Sequence, residues 1–188
     1  MKRCGWVKEN NPLYIAYHDN EWGRPVKNEQ SLFELLCLES YQAGLSWETI
    51  LNKRSAFQKA FHGYDVQVVA QMSDSELESL LHNPAIIRHR AKIFATRQNA
   101  RAFLKVQEEY GTFADYLWSW VKFTPIDNHV KDYREVPNKT SLSEKLSKDL
   151  KKRGFTFVGP VCVYSYLQAA GLVNDHELDC FCKGNSHE

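Results

Sequence analysis

The stretch SLSEKLSKDLKKRGFTFVGPVCVYSYLQAAGL, residues 141–172, decides the fold. Its first part predicts a helix, because Ser141 and Glu144 have the spacing of a capping box. A leucine also recurs at every fourth position from Leu142, which gives this helix one apolar face. The stretch therefore begins with an amphipathic helix.

A turn bounded by glycines follows this helix. Gly154 stands where a helix C-terminus favours positive φ, and Pro160 suits the first position of a second helix that can run to Gly171. Such a helix-hairpin-helix turn points free backbone N–H groups at one spot, where a phosphate can bind. An ordinary αα-hairpin with a solvated basic end is the alternative. The candidate phosphate-binding residues are Lys151, Lys152, Arg153, Gly154 and Gly159.

The composition is that of one globular domain, which we expect to span residues 1–188. The apolar share of 43% and the aromatic share of 13% are ample for a packed core. The net charge of +1 provides no overall attraction for nucleic acid, so DNA affinity would need local basic clusters. Five scattered cysteines, with neither a signal peptide nor a membrane-spanning apolar run, predict a soluble protein of the reducing cytoplasm.

Helical periodicity predominates outside the hairpin as well. Residues 1–28 and 122–140 are predicted to be irregular, and no segment has the pattern of a strand. The predicted fold class is therefore all-α. The further helices are expected at Glu29–Tyr41, Trp47–Phe61, Val66–Met72, Asp74–Leu81, Pro84–Tyr110 and Phe113–Val121.

A carboxylate and an indole flank one predicted helix–loop–helix turn. Glu39 lies near the end of a helix that is apolar almost all round, so its carboxylate must be solvated, paired or kept for chemistry. Ser46 can cap the next helix, which opens with Trp47. Because the loop between them is short, Glu39 and Trp47 can share a pocket. The alternative is that Glu39 faces water.

Two other patterns in the sequence each allow two interpretations. The irregular segment 1–28 is rich in aromatic residues, which form either a lid over the core or part of a binding site. Between Pro84 and Gln107 there are six basic residues and no acid, which predicts either a solvated face or a stripe for the DNA backbone.

Soft metal ligands occur near both ends of the chain. His176 and Cys180 are spaced to bind one ion, and Cys4 and His18 can complete a Cys2His2 set for tetrahedral Zn²⁺. Four protein ligands leave no open position, so this zinc would be structural and would clip segment 1–28 to segment 173–188. Cys182 or His187 could replace one ligand. The alternative is free thiols and surface histidines.

Several blocks of sequence resemble the bacterial DNA-3-methyladenine glycosylase I family. The resemblance extends over nearly the whole chain, and it includes both ends and the hairpin. The blocks are RCGW (3–6), YIAYHDNEWG (14–23), LE (38–39), QAGLSW (42–47), IIRHR (86–90), KRGF (152–155), FVGP (157–160) and AGLVNDH (170–176).

The resemblance implies a helix-hairpin-helix DNA glycosylase that excises 3-methyladenine from alkylated double-stranded DNA. It implies a structural zinc with Cys4, His18, His176 and Cys180 as ligands. It also implies that Glu39 recognises the base, with Tyr17 and Trp47 against it.

A mechanism follows from these implications. The damaged nucleotide would be flipped into the pocket, with Leu45 filling the vacated stack and Trp6 or Trp22 at the rim of the base. No acidic residue lies between Asp149 and Asp175, and no lysine lies between Lys152 and Lys183. We therefore expect a hydrolase that lacks lyase activity. We also expect a monomer of the bacterial cytoplasm whose activity is associated with the nucleoid.

Three rival functions remain at this point. A glycosylase for a neutral damaged base would use the same fold. A non-enzymatic, zinc-clipped DNA-binding module would pack Glu39 and Trp47 into the core and leave no cavity. A zinc hydrolase would need an open coordination position, which four protein ligands do not leave.

Overall fold

A computed structural model describes residues 1–185 and is mainly helical, as predicted. Nine α-helices occur in this part of the chain, joined by short connections and one long loop. They are α1 (Pro12–Asn20), α2 (Glu29–Tyr41), α3 (Trp47–Ala60), α4 (Val66–Gln71), α5 (Asp74–Leu80), α6 (Arg90–Tyr110), α7 (Phe113–Ser119), α8 (Ser141–Lys152) and α9 (Pro160–Ala169).

The segment 1–28 is not irregular throughout, because it contains α1. The Asn11 side chain accepts hydrogen bonds from the N–H groups of Leu13 and Tyr14, and Pro12 occupies the first helical position. The Asn-Pro pair, which lies in the segment predicted to be irregular, is the start signal of a helix. This correction matters because α1 carries Tyr17 and His18.

Helix α6 begins at Arg90, six residues later than predicted from Pro84. The side chain of His89 accepts from the N–H of Lys92 and caps the helix there. The capping box of α8 is likewise displaced: it is formed by Thr140 and Ser143 rather than by Ser141 and Glu144. In both cases a neighbouring polar residue provides the cap.

The prediction that the chain has no strand is wrong in one place. Residues Ile126–Asp127 (β1) and Val173–Asn174 (β2) pair in parallel, with Ile126 opposite Val173. Two residues are too few to show an alternating pattern, so the sequence gives no signal for them. The pairing attaches the loop 122–140 to the segment that follows α9.

Helix α2 lies at the centre of the core and positions the site. Leu32, Phe33, Leu36 and Leu38 are completely buried, as expected of a helix that is apolar on all sides. It packs against α3, α6, α7 and α9, and α9 in turn packs against α8. The C-terminal end of α2 is therefore held between α6 and the hairpin. None of the helices in residues 1–185 combines the length and apolar character needed to cross a bilayer.

Candidate active site

A cavity of about 320 Å³ lies beside the C-terminal end of α2. Glu39 and Trp47 both line it, so the short loop between α2 and α3 does bring these two side chains to one pocket. The expectation of a packed core without a cavity, which the non-enzymatic rival requires, is wrong. The N-terminal aromatic segment forms another wall, with Trp6, Tyr17 and Trp22.

Four buried polar atoms on the cavity walls have no hydrogen-bond partner. Within the described residues, the side-chain atoms in this condition are Trp6 Nε1, Tyr17 OH, Glu39 Oε2 and Trp47 Nε1. All four residues line the same cavity. An unsatisfied buried polar group costs about 1–3 kcal/mol, so it is rarely left without a function. Their convergence on one space indicates a ligand that supplies the missing partners.

Burial changes the acidity of the groups in this cavity. Glu39 is 5% exposed, and loss of hydration raises the pKa of its carboxyl group to about 8. Burial, followed by the nearby charge of Glu39, also raises the pKa of the Tyr17 hydroxyl. With a pKa of about 8, the protonated form of Glu39 predominates at pH 7. A positively charged ligand would favour the ionised carboxylate instead.

The aromatic walls are suited to a flat, electron-poor ligand. The ring centroids of Tyr17 and Trp47 are 5.2 Å apart, and those of Trp6 and Trp22 are 4.9 Å apart. Aromatic faces carry negative electrostatic potential and attract a cation. The cavity thus combines a buried carboxyl group with electron-rich rings.

Part of the cavity wall was not predictable from the sequence. The loop 122–140, for which the sequence predicted only an irregular structure, contributes Tyr133, Val136, Pro137 and Asn138. Helix α9 contributes Ser165 and Gln168, and Asp175 lies behind them. In the sequence, the only indication of this wall is that polar residues interrupt the otherwise apolar α9.

Asp175 is held on this wall by three donors. Its carboxylate accepts from Asn128 Nδ2 at 2.7 Å, from Gln168 Nε2 at 2.8 Å and from the hydroxyl of Tyr164. The segment between Asp149 and Asp175 indeed carries no acid, yet the fold brings Asp175 itself to the cavity. With its oxygens engaged, this carboxylate helps to shape the wall.

A second cavity of about 430 Å³ adjoins the first on the side of the hairpin. It is lined by Gly44 from the α2–α3 loop and by Phe157 and Gly159 from the hairpin. Glu39 and Gln42 line both cavities. The hairpin therefore lies directly beside the candidate active site. Leu45, the predicted wedge, is 38% exposed on the same loop.

The backbone N–H groups with which the hairpin can bind a phosphate lie at the start of its second helix, α9. The N–H groups of Gly154 and Thr156 already donate, to the carbonyl of Lys151 and to Asn99 Oδ1 respectively. The first turn of α9 leaves the N–H groups of Val161 and Cys162 without intrahelical acceptors. A Cβ atom added at Gly159 would meet no atom within 4 Å, so this side of the turn is open.

The predicted basic residues separate into exposed and engaged groups. Lys151 and Lys152 are exposed at the end of α8. The guanidinium of Arg153 is bound to Glu109 and Asp149, which commits it to holding α8 against α6.

The six basic residues of the run 84–107 do not form one uniform face, because three of them make structural contacts with neighbouring elements. Arg97 donates to the carbonyl of Met72, and Arg101 donates to the carbonyl of Ala70. These two side chains satisfy carbonyl groups at the end of α4. Lys92 is buried, while Arg88 and Lys105 are exposed.

The four predicted metal ligands lie together and are all buried. The Sγ atom of Cys4 is 3.4 Å from His176 Nδ1, and the Sγ atom of Cys180 is 3.4 Å from His18 Nε2 and 3.7 Å from His176 Nδ1. Around a tetrahedral zinc ion, sulfur and nitrogen ligands stand about 3.6 Å apart. The donor set therefore fits Zn²⁺ in both chemistry and spacing.

Outer contacts fix the orientation of both imidazoles. His18 Nδ1 lies 2.7 Å from Asp19 Oδ1, and His176 Nε2 lies 3.0 Å from the carbonyl oxygen of Trp22. Each ring thus presents its other nitrogen to the ligand cluster, as metal-binding histidines do. Cys182 groups separately with His18 and Asp19, and His187 lies outside the described residues.

Comparison with known proteins gives a consistent result. The sequence pattern of the methyladenine glycosylase family matches residues 6–183. DNA-3-methyladenine glycosylase 1 of Escherichia coli K12 is 50% identical over 182 residues, which cover 97% of each chain. DNA-3-methyladenine glycosylase of Haemophilus influenzae is 48% identical over 181 residues, 96% of this chain and 97% of that protein. A 3-methyladenine DNA glycosylase I variant crystallised with 3-methyladenine has a TM-score of 0.94 at 40% identity, covering 97% of this chain and 98% of the other.

Proposed function

This chain belongs to the methyladenine glycosylase family, and from that premise we propose that it flips 3-methyladenine out of double-stranded DNA and hydrolyses its glycosidic bond. The protein is a DNA repair enzyme, a DNA-3-methyladenine glycosylase. The observation that carries the proposed mechanism is the convergence of four unpartnered polar atoms on one aromatic cavity.

Selection of the base rests on charge. Methylation at N3 makes the base cationic, and a cation in the cavity favours the ionised form of Glu39 over the protonated form. The carboxylate then accepts a hydrogen bond from the exocyclic amine, while the rings of Tyr17 and Trp47 contact the electron-poor base. Unmodified adenine carries no charge and cannot offset the cost of ionising a buried carboxyl group. The same cavity therefore discriminates against the normal base.

The bond to be broken needs little acid catalysis. A cationic base departs with the electron pair of the N9–C1′ bond and becomes neutral. Positive charge develops on the sugar, and the Glu39 carboxylate stabilises it electrostatically. Water then adds its oxygen to C1′ and releases a proton to the solvent.

We assign hydrolysis alone to this site. Strand cleavage by a lyase route needs an amine nucleophile at the sugar. None of the residues that line either cavity is a lysine, and the ammonium of Lys183 is bound to Asp127 at 2.5 Å. A monofunctional glycosylase agrees with both facts.

Duplex DNA would lie across the hairpin and the α2–α3 loop. Leu45 would fill the gap left by the flipped nucleotide, and the open donors near Gly159 would bind the backbone phosphate beside it. Lys151 and Lys152 would add long-range attraction at the end of α8. We propose a monomer that acts on the nucleoid in the bacterial cytoplasm.

A structural zinc ion would hold the two ends of the chain. Cys4, His18, His176 and Cys180 are the ligands we propose, because their four donor atoms converge at distances suited to a tetrahedral site. With four protein ligands the ion has no position for water or substrate. It would therefore stabilise the fold, and the hydrolysis would be carried out by the residues of the cavity.

The central experiment measures release of free 3-methyladenine from methylated duplex DNA. We expect wild-type protein to release it in preference to neutral damaged bases, and Glu39→Gln to lower kcat/KM by about 100-fold, as removal of one preorganised electrostatic group does. Glu108→Gln, at an exposed site in α6, is the matched control and should behave as wild type. Equal excision by Glu39→Gln and wild type would overturn the role of Glu39.

A further inference from the structure

Lys92 is an unusual member of the basic run because its side chain is buried. It is 7% exposed, and its ammonium group points across from α6 to the end of α2. Nζ donates to the carbonyl oxygens of Tyr41 at 2.9 Å and Ala43 at 2.7 Å. These carbonyls belong to the last residue of α2 and to the loop that follows it.

Keeping a charge here has a cost. Burial lowers the pKa of Lys92, and among the described residues no carboxylate pairs with its ammonium group. The compensation comes from the helix terminus, where carbonyl groups lack intrahelical partners and carry the negative end of the helix dipole. An apolar side chain could fill the same volume without this cost. The ammonium is therefore used for its two directed hydrogen bonds.

A second residue of α6, Thr96, also contacts Tyr41. The Thr96 hydroxyl lies 2.8 Å from the hydroxyl oxygen of Tyr41 and 3.0 Å from the carbonyl oxygen of Lys92. Tyr41 is thus fixed to α6 through its backbone by Lys92 and through its ring by Thr96. The end of α2 cannot shift relative to α6 without breaking this arrangement.

We propose that Lys92 is a positioning residue that locks the α2–α3 loop for base flipping. The loop it holds contains Gln42, which lines both cavities, and leads to the exposed Leu45. The N–H of Leu45 donates to the carbonyl of Gln42 at 2.7 Å, so the held carbonyls and the wedge belong to one tight turn. This inference rests on the wedge role that the proposed function gives to Leu45.

Loss of the ammonium would loosen the α2–α3 loop, including Gln42, while the other walls of the base cavity stay in place. Gly44 has a φ of +79° and no neighbour within 4 Å of an added Cβ, so side-chain packing does not hold the loop at that point. If the loop has to become ordered during base flipping, the conformational entropy that it loses weakens both DNA binding and stabilisation of the transition state. Glu39 lies inside α2, where helical hydrogen bonds keep it in place. The defect should therefore appear with duplex DNA and be small with free base.

The test compares Lys92→Met, which keeps the length of the apolar stem and removes the ammonium group, with Lys105→Met at an exposed position of the same helix. For Lys92→Met we expect kcat/KM on methylated duplex to fall by 10-fold or more, while the Kd for free 3-methyladenine, followed by tryptophan fluorescence, changes by less than 3-fold. For Lys105→Met we expect both quantities to remain within 2-fold of wild type. Thermal unfolding reports the fraction of each variant that is folded.

A double-mutant cycle with Leu45→Ala separates positioning from simple stabilisation. If Lys92 acts through the wedge, the double variant should be less impaired on duplex DNA than the product of the two single effects. Fully multiplicative effects, or wild-type excision by Lys92→Met, would overturn the proposal. If Lys92→Met does not fold, Lys92→Gln, which retains one donor group, takes its place in the cycle. Failure of the wild-type protein to excise the base would instead overturn the proposed function.

Discussion

Glu39 illustrates what burial does to a single carboxyl group. Its usual pKa of 4.5 is raised to about 8 by loss of hydration alone. Between these values the folded protein holds a proton that the unfolded chain has released. Raising the pH through this window therefore favours the unfolded chain. Glu39 therefore lowers the stability of the folded protein, as expected of a buried carboxyl group whose function is to bind a charged ligand.

We therefore predict that Glu39→Gln stabilises the protein increasingly between pH 4.5 and pH 8. The gain over wild type should be small near pH 5, grow through the window and level off above pH 8, with an upper limit of about 5 kcal/mol. Urea unfolding at pH 5, 6.5, 8 and 9 measures it, with Glu108→Gln as the exposed control. A gain that is the same at every pH would show that Glu39 is not desolvated.

From the residues alone, a shared base cavity could be predicted only for side chains that lie close together along the chain. Glu39 and Trp47 are separated by one short turn, so their shared pocket was predictable. Tyr133 and Asp175 reach the same cavity from distant segments, through the long loop and the strand pair. No local pattern marks them, because their position depends on how whole elements pack.

At the scale of elements, the prediction succeeded where caps and apolar periodicity agreed. The bounds of α2 were predicted correctly, and α3 begins at Trp47 with Ser46 as its cap. The predicted helix bounds were wrong where a proline can either begin a helix or lie in a turn. Pro12 begins a helix, whereas Pro84 lies in a turn before α6. Only the capping side chains nearby, Asn11 and His89, distinguish the two cases.

Substitutions at the two glycines of the hairpin should separate an effect on DNA affinity from an effect on the stability of the fold. Gly159 has φ −62° and ψ 162°, a conformation open to any residue, and an added Cβ would meet only open space. We predict that Gly159→Ala leaves stability unchanged or raises it by about 0.5 kcal/mol, since alanine restricts the unfolded chain. Affinity for duplex DNA should fall by about 10-fold, because the methyl group occupies the path of the phosphate. Thermal unfolding and fluorescence anisotropy measure the two effects.

Gly154→Ala provides the contrasting variant. Gly154 has a φ of +95°, and its N–H already donates to the carbonyl of Lys151. Alanine there should destabilise the protein by about 1–2 kcal/mol through backbone strain, while the folded fraction keeps its DNA affinity. A loss of affinity at Gly154 with none at Gly159 would place the phosphate at the other end of the turn.

On the scale of the whole molecule, the two ends of the chain support the base cavity. The buried carboxylate of Glu177 accepts from the N–H of Gly5 at 2.7 Å and from the N–H of Tyr133 at 2.8 Å. Trp6 follows Gly5, and both Trp6 and Tyr133 line the cavity. Glu177 itself stands between two of the proposed metal ligands. The cluster of four proposed ligands and the cavity wall are thus joined by direct contacts, which the separate sequence motifs did not reveal.

Loss of the proposed zinc ion should therefore damage the base cavity as well as the fold. We predict that Cys180→Ser loses bound zinc, lowers Tm by 10 °C or more and weakens binding of free 3-methyladenine, because segment 1–28 no longer holds Trp6 in place. Cys182→Ser, outside the four-ligand set, is the matched control and should keep its zinc. Elemental analysis, thermal unfolding and tryptophan fluorescence titration measure these effects. Full zinc content in Cys180→Ser, or its loss in Cys182→Ser, would reject the ligand set, and intact base binding without zinc would separate the clip from the cavity.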